Sequence, residues 1–277
     1  KRRRTCCFIA EAGRVLKLPR VAIATAMVFF HRFFAKQSFA EHDRFEVAVA
    51  CLLLAAKTEE APKKLAVVII ECYKLKMRSS SRSSGGGVEP PKGLDTKSRE
   101  YNDLRERILL LERLILHTIA FELSVEHPYK FVIEQIKKMS QPRGQLEYLD
   151  SGKNQSTLIN ELVQYSMNFA NDSMHTSLCL QFEARDIAMS CIYMAAKNCK
   201  IRLTDGKNWL DVLGIEPEQL TSISLQIMEL IADKKGCQLP MFDKIKSDLS
   251  QIREQKKQKI LSKSRPMGDA KRQKKGH

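Results

Sequence analysis

The chain has 277 residues, 43% of them hydrophobic and 29% charged, with only 12 Gly and 9 Pro. Domains run typically about 100 to 200 residues, so two are expected, and the scarcity of Gly and Pro favours helices over a turn-rich β architecture. The net charge of +15 suggests a nucleic-acid surface until it is located: ten Lys or Arg against two acids lie from Arg253 onward and KRRR opens the chain, leaving roughly +3 for everything between.

Apolar residues recur at helical spacing over 5–17, 20–38, 42–58, 62–77 and 100–120. Leu18-Pro19 marks the break between the first two segments, and Ala61-Pro62 sets a proline at the start of the fourth, where its missing N–H costs nothing. The third segment carries Val47, Ala48, Cys51, Leu52, Leu54 and Ala55 and is apolar nearly all round, which marks it as a buried central helix. RSSSRSSGGGVEPPKG at 78–93 is too polar to order itself, so 78–99 reads as a flexible loop. After a linker around SVEHPYK (124–130), helices are expected at 128–139, 155–174, 183–199, 207–214 and 217–235. The last of these has a stripe of Leu220, Ile223, Ile227 and Ile231 behind an acidic, proline-tolerant start. Residues 237–277 read as a polar basic tail.

VAVACLLLAAKT at 47–58 and IAMSCIYMAAKN at 187–198 match position for position at an offset of 140, pairing Cys51 with Cys191 and Lys57 with Lys197. Two copies of one five-helix unit are implied, 1–123 and 124–236, in an all-α fold. The longest apolar run, VAVACLLLAA at 47–56, falls short of the roughly 20 residues that cross a bilayer. With no signal-peptide pattern either, a soluble protein of the cytosol or nucleus is expected. Eight cysteines without C-x-x-C spacing read as reduced core residues.

Chemistry is not apparent in the motifs. Phosphate-loop, dinucleotide, H-E-x-x-H and G-x-S-x-G patterns are missing, and Gly85 to Gly87 lie in a serine-rich spacer. His31, His117 and His175 sit on separate helical patterns and read as hydrogen-bonded core or interfacial residues. No cofactor or metal is expected, and catalysis by this chain is not expected. What remains is a rigid helical binding surface.

VFFHRFFAKQSF (28–39), LLLAAKTEEAPKKL (52–65), LLLERLILHTIAFELSVEHPYKFV (109–132) and NDSMHTSLCLQFEARDIAMSCIYMAAK (171–197) together resemble the cyclins, over roughly residues 2 to 236. Within that family they are most similar to the transcriptional group of cyclins K and T, then L. The resemblance implies a regulatory subunit that binds a cyclin-dependent kinase and holds the kinase C-helix inward, completing the Lys–Glu pair that positions ATP. It makes Lys57 and Glu112 the charged kinase contacts, with Phe121 and Leu123 as apolar contacts and Glu60, Arg2 and Phe30 as further candidates. The second-helix position that pairs with the first-helix arginine in cell-cycle cyclins is His31 here, so a salt bridge with Arg2 is not implied. Lysine and threonine in KRRRTCCF replace the apolar residues that dock substrates in cell-cycle cyclins.

The resemblance further implies a nuclear protein acting in RNA polymerase II elongation. Lys271, Arg272, Lys274 and Lys275 in the tail read as a nuclear-import signal or a weak RNA contact. A nucleic-acid-binding factor of the transcription factor IIB type also has two such repeats and is the alternative. From residue chemistry alone, Lys57 and Glu112 could equally pair with each other at the surface, and Glu59 with Lys63 at i, i+4.

Overall fold

A computed structural model of the chain describes residues 1–83, 94–140, 146–148, 154–204, 208–235, 243, 245–252 and 254. The first repeat is α1 (Arg2–Val15), α2 (Arg20–Lys36), α3 (Arg44–Thr58), α4 (Leu65–Ser83) and α5 (Arg99–Thr118). The second is α6 (Pro128–Met139), α7 (Gln155–Ser173), α8 (Ala184–Asn198), α9 (Trp209–Leu213) and α10 (Pro217–Lys235), followed by α11 (245–252).

Each repeat is built round one helix. Asp43 caps α3 by accepting from the Phe45 and Glu46 N–H groups at 2.8 and 3.0 Å. Every residue from Val47 to Ala56 is buried, and α1, α2, α4 and α5 wrap the helix. In the second repeat every residue of α8 from Asp186 to Ala196 is buried, wrapped by α6, α7 and α10. Small side chains at Ala48, Ala50, Ala55, Ala188, Ala195 and Ala196 let neighbours close in on all sides of these two helices. Gly13 does the same where α1 crosses α2, since a Cβ there would lie 2.4 Å from Ile23.

Helix ends follow a rule that the sequence hides. At α1, α3 and α5 the chain turns through a left-handed residue, Lys17, Glu60 or Ala120, and the next N–H reaches back five residues: Leu18 to Gly13, Ala61 to Ala56, Phe121 to Leu116. Lys200 turns the end of α8 in the same left-handed conformation. This closure is usually made with glycine. Among the described residues only α9 uses it, at Gly214 with φ 59°.

Several expectations are corrected. Pro62 does not begin α4, which starts at Leu65, with the Lys64 carbonyl accepting from Val67 and Val68. The segment 78–99 is not one loop: α4 continues to Ser83, Leu94 is buried, and the Ser98 hydroxyl caps α5 through the Tyr101 N–H at 3.1 Å. Residues 84–93 lie outside the described residues. An unexpected antiparallel ribbon, β1 (Leu146–Tyr148) with β2 (Ile201–Leu203), adds to the second core. The tail also begins later than expected, because Ile245 and Leu249 on α11 are buried in that core. The signal was present in the sequence, for Ile245, Leu249 and Ile252 stand at i, i+4 and i+7, and all three pack on the second core.

Polar seams join the repeats. The His31 imidazole, fully buried, donates from Nε2 to the Met174 carbonyl at the end of α7, at 3.0 Å. Burial pushes its pKa down to about 4, so it is neutral. The Thr25 hydroxyl donates to Glu59 at 2.7 Å and accepts from His127 Nε2 at 2.8 Å, tying α2, the end of α3 and the linker together.

Candidate partner-binding site

Lys57 occupies the last turn of α3, and Glu112 faces it from α5. The Lys57 ammonium donates to both carboxylate oxygens, at 2.7 and 3.0 Å. The two partners are unequally exposed: the lysine side chain is 52% accessible and the glutamate 11%. Glu112 is therefore a mostly buried carboxylate whose charge is answered by Lys57, while Lys57 keeps one of its three donors and half its surface for another molecule. Farther along the same two helices, Glu46 on α3 accepts a forked pair of bonds from Arg107 on α5, at 3.0 to 3.2 Å. Two clamps thus fix α5 against α3.

Glu112 lies on the packed side of α5 with Ile108 and Ile115, and the exposed side of that helix carries Leu110, two residues away and so nearly opposite. Leu110 is 60% exposed and Phe121 59%, the largest values among the exposed large hydrophobics. Ala120 and Phe121 both adopt left-handed backbone conformations, at φ 54° and 57°, which turn the phenyl ring outward, edge-on to His117 at 5.3 Å. Such a conformation costs a bulky residue roughly 1 to 3 kcal/mol, and surrounding bonds hold it in place. Lys36 donates to the Thr118 carbonyl at 3.0 Å and Arg32 to the Glu122 carbonyl at 2.9 Å. Leu123 lies partly buried against the first core. A half-exposed cation at the end of α3 and an exposed, rigidly held Phe121 at the end of α5 are features suited to a protein partner.

Residues 1–124 match the family described as Cyclin, N-terminal domain. Cyclin-T1-3 of Oryza sativa subsp. japonica is 39% identical over 231 residues, covering 83% of this chain and 42% of that protein. The chain belongs to the cyclin family. Cyclin-L2 of Homo sapiens is 34% identical to this cyclin over 230 residues, 83% of the chain and 40% of that protein. The chain thus spans about two fifths of the length of these relatives. Two solved structures share its fold. One is a chain of the yeast RNA Pol II CTD kinase CTDK-1 complex, with TM-score 0.58, 19% identity, and coverage of 83% of this chain and 64% of that one. The other is a chain of the CAK complex from Chaetomium thermophilum, with TM-score 0.56, 15% identity, and coverage of 99% and 80%.

The remaining candidates in this cyclin divide. Glu60 is exposed at the left-handed turn after α3. Phe30 is corrected: it is 0% exposed, locked among Phe34 and Phe39, and offers no surface to a partner. Arg2 is corrected as well. Its guanidinium donates to the His31 carbonyl at 3.3 Å and to the Phe34 carbonyl, so it clamps α1 onto α2. Its contact with His31 Nδ1, at 3.5 Å, is to a neutral ring and is no salt bridge. Glu59 turns inward to Thr25, so it does not form the surface pair with Lys63. Lys271, Arg272, Lys274 and Lys275 lie outside the described residues.

Leu110 was missed by sequence reasoning. The signal was present: Leu109, Leu110 and Leu111 are consecutive on an amphipathic helix, and three adjacent positions cannot all face one side. Sequence reasoning also left Lys197 without a carboxylate partner, whereas Asp248 on α11 lies 2.6 Å from it. Among the described residues no helix is long and apolar enough to cross a membrane, and no cluster of His, Cys, Asp or Glu could hold a metal.

Proposed function

We propose that this cyclin binds and activates a transcriptional cyclin-dependent serine/threonine kinase, promoting phosphorylation of the RNA polymerase II C-terminal domain and transcription elongation in the nucleus. The observation that carries the proposal is the half-exposed Lys57 held by the mostly buried Glu112, with Phe121 turned outward where α5 ends. The shared fold with a chain of the yeast RNA Pol II CTD kinase CTDK-1 complex supports it.

The mechanism is mechanical. A surface fixed in advance by Lys57–Glu112, Arg107–Glu46 and the carbonyl clamps of Lys36 and Arg32 loses little freedom when a partner helix docks. Docked there, the kinase C-helix is held inward, so the kinase's own Lys–Glu pair can orient the ATP phosphates. The cyclin contributes no reacting group; it shifts the kinase population toward the competent state.

The test is the double reversal Lys57→Glu with Glu112→Lys. It preserves the internal ion pair and presents the opposite charge outward. The expected result is unchanged helical circular dichroism with loss of kinase co-purification and of kinase activity toward a polymerase C-terminal-domain peptide. Full activity in that variant overturns the proposal. Salt-sensitive binding to duplex DNA that survives removal of residues 255–277, with no kinase recovered, would favour the transcription factor IIB type instead.

A further inference from the structure

A cleft of about 490 Å³ opens between the repeats, where the end of α1 and the start of α2 meet α6 and the end of α7. Its volume lies within the roughly 300 to 1,000 Å³ usual for ligand sites. Leu18, Ile23, Ala24 and Met27 give it an apolar side, and its polar groups are Arg14, Arg20, Tyr129, Asn171 and His175. No carboxylate lines it. A second inter-repeat cleft contrasts sharply, for there Arg32 is accompanied by Glu122, Glu126 and Glu183.

The cations of the first cleft are unanswered. Among the described residues neither Arg14 nor Arg20 joins an ion pair, whereas Arg3, Arg32 and Arg107 each have one. Arg14 donates from Nε to the Ala10 carbonyl at 3.1 Å, which leaves the terminal nitrogens of its guanidinium for a ligand. The charge of Arg20 opposes the rise that burial imposes on the nearby Tyr129 phenol, which still stands at about 12. Tyr129 therefore stays protonated and donates to Asn171 Oδ1 at 3.0 Å, leaving the Asn171 amide N–H groups as donors. His175 donates from Nδ1 to the Asn171 carbonyl at 3.2 Å, bracing the same residue. Glu11, the acid nearest on α1, is exposed and lies outside the lining.

We infer that this cleft docks a phosphorylated peptide segment, the phosphate on Arg14, Arg20 and the Asn171 amide and a flanking apolar side chain against Ile23 and Met27. Charge complementarity selects the occupant. Two guanidinium forks and an amide supply more donors than one carboxylate accepts, and arginine forks match phosphate oxygens. Two cations beside an apolar wall make a short footprint for a nucleic acid, whose backbone asks for a charged stripe. The chain's own basic ends have the wrong sign to fill it. This inference is independent of the kinase assignment.

Fluorescence anisotropy on the whole chain tests it with a labelled peptide carrying one phosphoserine flanked by leucines, beside the same peptide with serine or glutamate. The phosphoserine peptide should bind at least roughly tenfold tighter than either. Arg14→Ala and Arg20→Ala should each weaken it by roughly tenfold without moving the urea midpoint, Arg20→Lys should weaken it less, and Arg99→Ala should change nothing. A photoreactive leucine in the peptide should crosslink to the segment containing Ile23 and Met27, a readout on the unmutated chain. Equal binding of the three peptides, a glutamate peptide that matches phosphoserine, tighter binding of single-stranded RNA, or crosslinks confined to another surface would each overturn it.

Discussion

Lys57 and Lys197 occupy the same place in the two repeats and end in opposite situations. Both sit in the last turn of the central helix, both are followed by a left-handed turn, at Glu60 and Lys200, and both meet a carboxylate, at 2.7 and 2.6 Å. The first lysine is answered from within its own repeat, by Glu112 on α5, and stays half exposed. The second is answered by Asp248 on α11, is 30% exposed, and lies over the Tyr193 ring at 5.4 Å. A lysine at this position belongs to the repeat, and its availability depends on what packs over it. The appended helix closes in the second copy what the first copy leaves open.

The comparison breaks most visibly if matched charge reversals behave alike. Lys57→Glu with Glu112→Lys should weaken kinase binding by about 2 to 5 kcal/mol, read as loss of co-purification and activation, while Lys197→Asp with Asp248→Lys should leave activation near normal. Equal losses would mean that the second lysine is also a partner contact. The covering helix gives the next largest effect. Leu249→Ala should lower stability by about 2 to 5 kcal/mol in urea melts, because it leaves a cavity in the second core. A result within about 0.5 kcal/mol would show that α11 is dispensable.

Acid sharpens the comparison at the seam between the copies. His31 belongs to the first and its acceptor Met174 to the second, with Arg2 and His175 as the charged or titratable groups acting on it. Its folded pKa, about 4, lies below the ordinary 6.5, so below pH 6.5 the unfolded chain binds the extra proton. Stability should be level above about pH 7 and fall as pH drops from 6.5 toward 4, by at most about 1.4 kcal/mol per unit from this residue. His127, also lowered by burial, adds a contribution of the same sign. Urea midpoints for the parent and His31→Gln across that range check it; the variant should show the shallower slope. The smallest effects fall on the open surface. Phe121→Ala should change stability by no more than about 0.5 kcal/mol and weaken kinase binding by about 1 to 2 kcal/mol, measured by titration calorimetry, whereas Leu110→Ala, on the far side of α5 from Glu112, should leave both nearly unchanged.

Most of the fold was legible because its signals are local. Helical periodicity located α2, α3, α6, α7, α8 and α10 to within about two residues, and the matched AAK segments revealed the duplication. Boundaries failed where chemistry departed from habit. Pro62 stands three residues before α4, and Lys17, Glu60, Ala120 and Lys200 close helices where glycine would be looked for. The site was legible in part. Lys57, Glu112 and Phe121 came from the resemblance, and of these Lys57 and Phe121 are open to a partner with Glu112 behind the lysine, whereas Arg2 and Phe30 came the same way and are turned inward.

By itself the sequence determined two helical repeats, their central helices and the residue types at the ends of those helices, because periodicity and composition act over a few turns of chain. Only tertiary structure decided which lysine is open, that Glu59 belongs to Thr25, that Leu110 faces outward, and that Arg14 and Arg20 share a cleft without an acid. Exposure and charge balance at those places are set by segments tens of residues away, brought together by burial of the two cores. No local pattern encodes them.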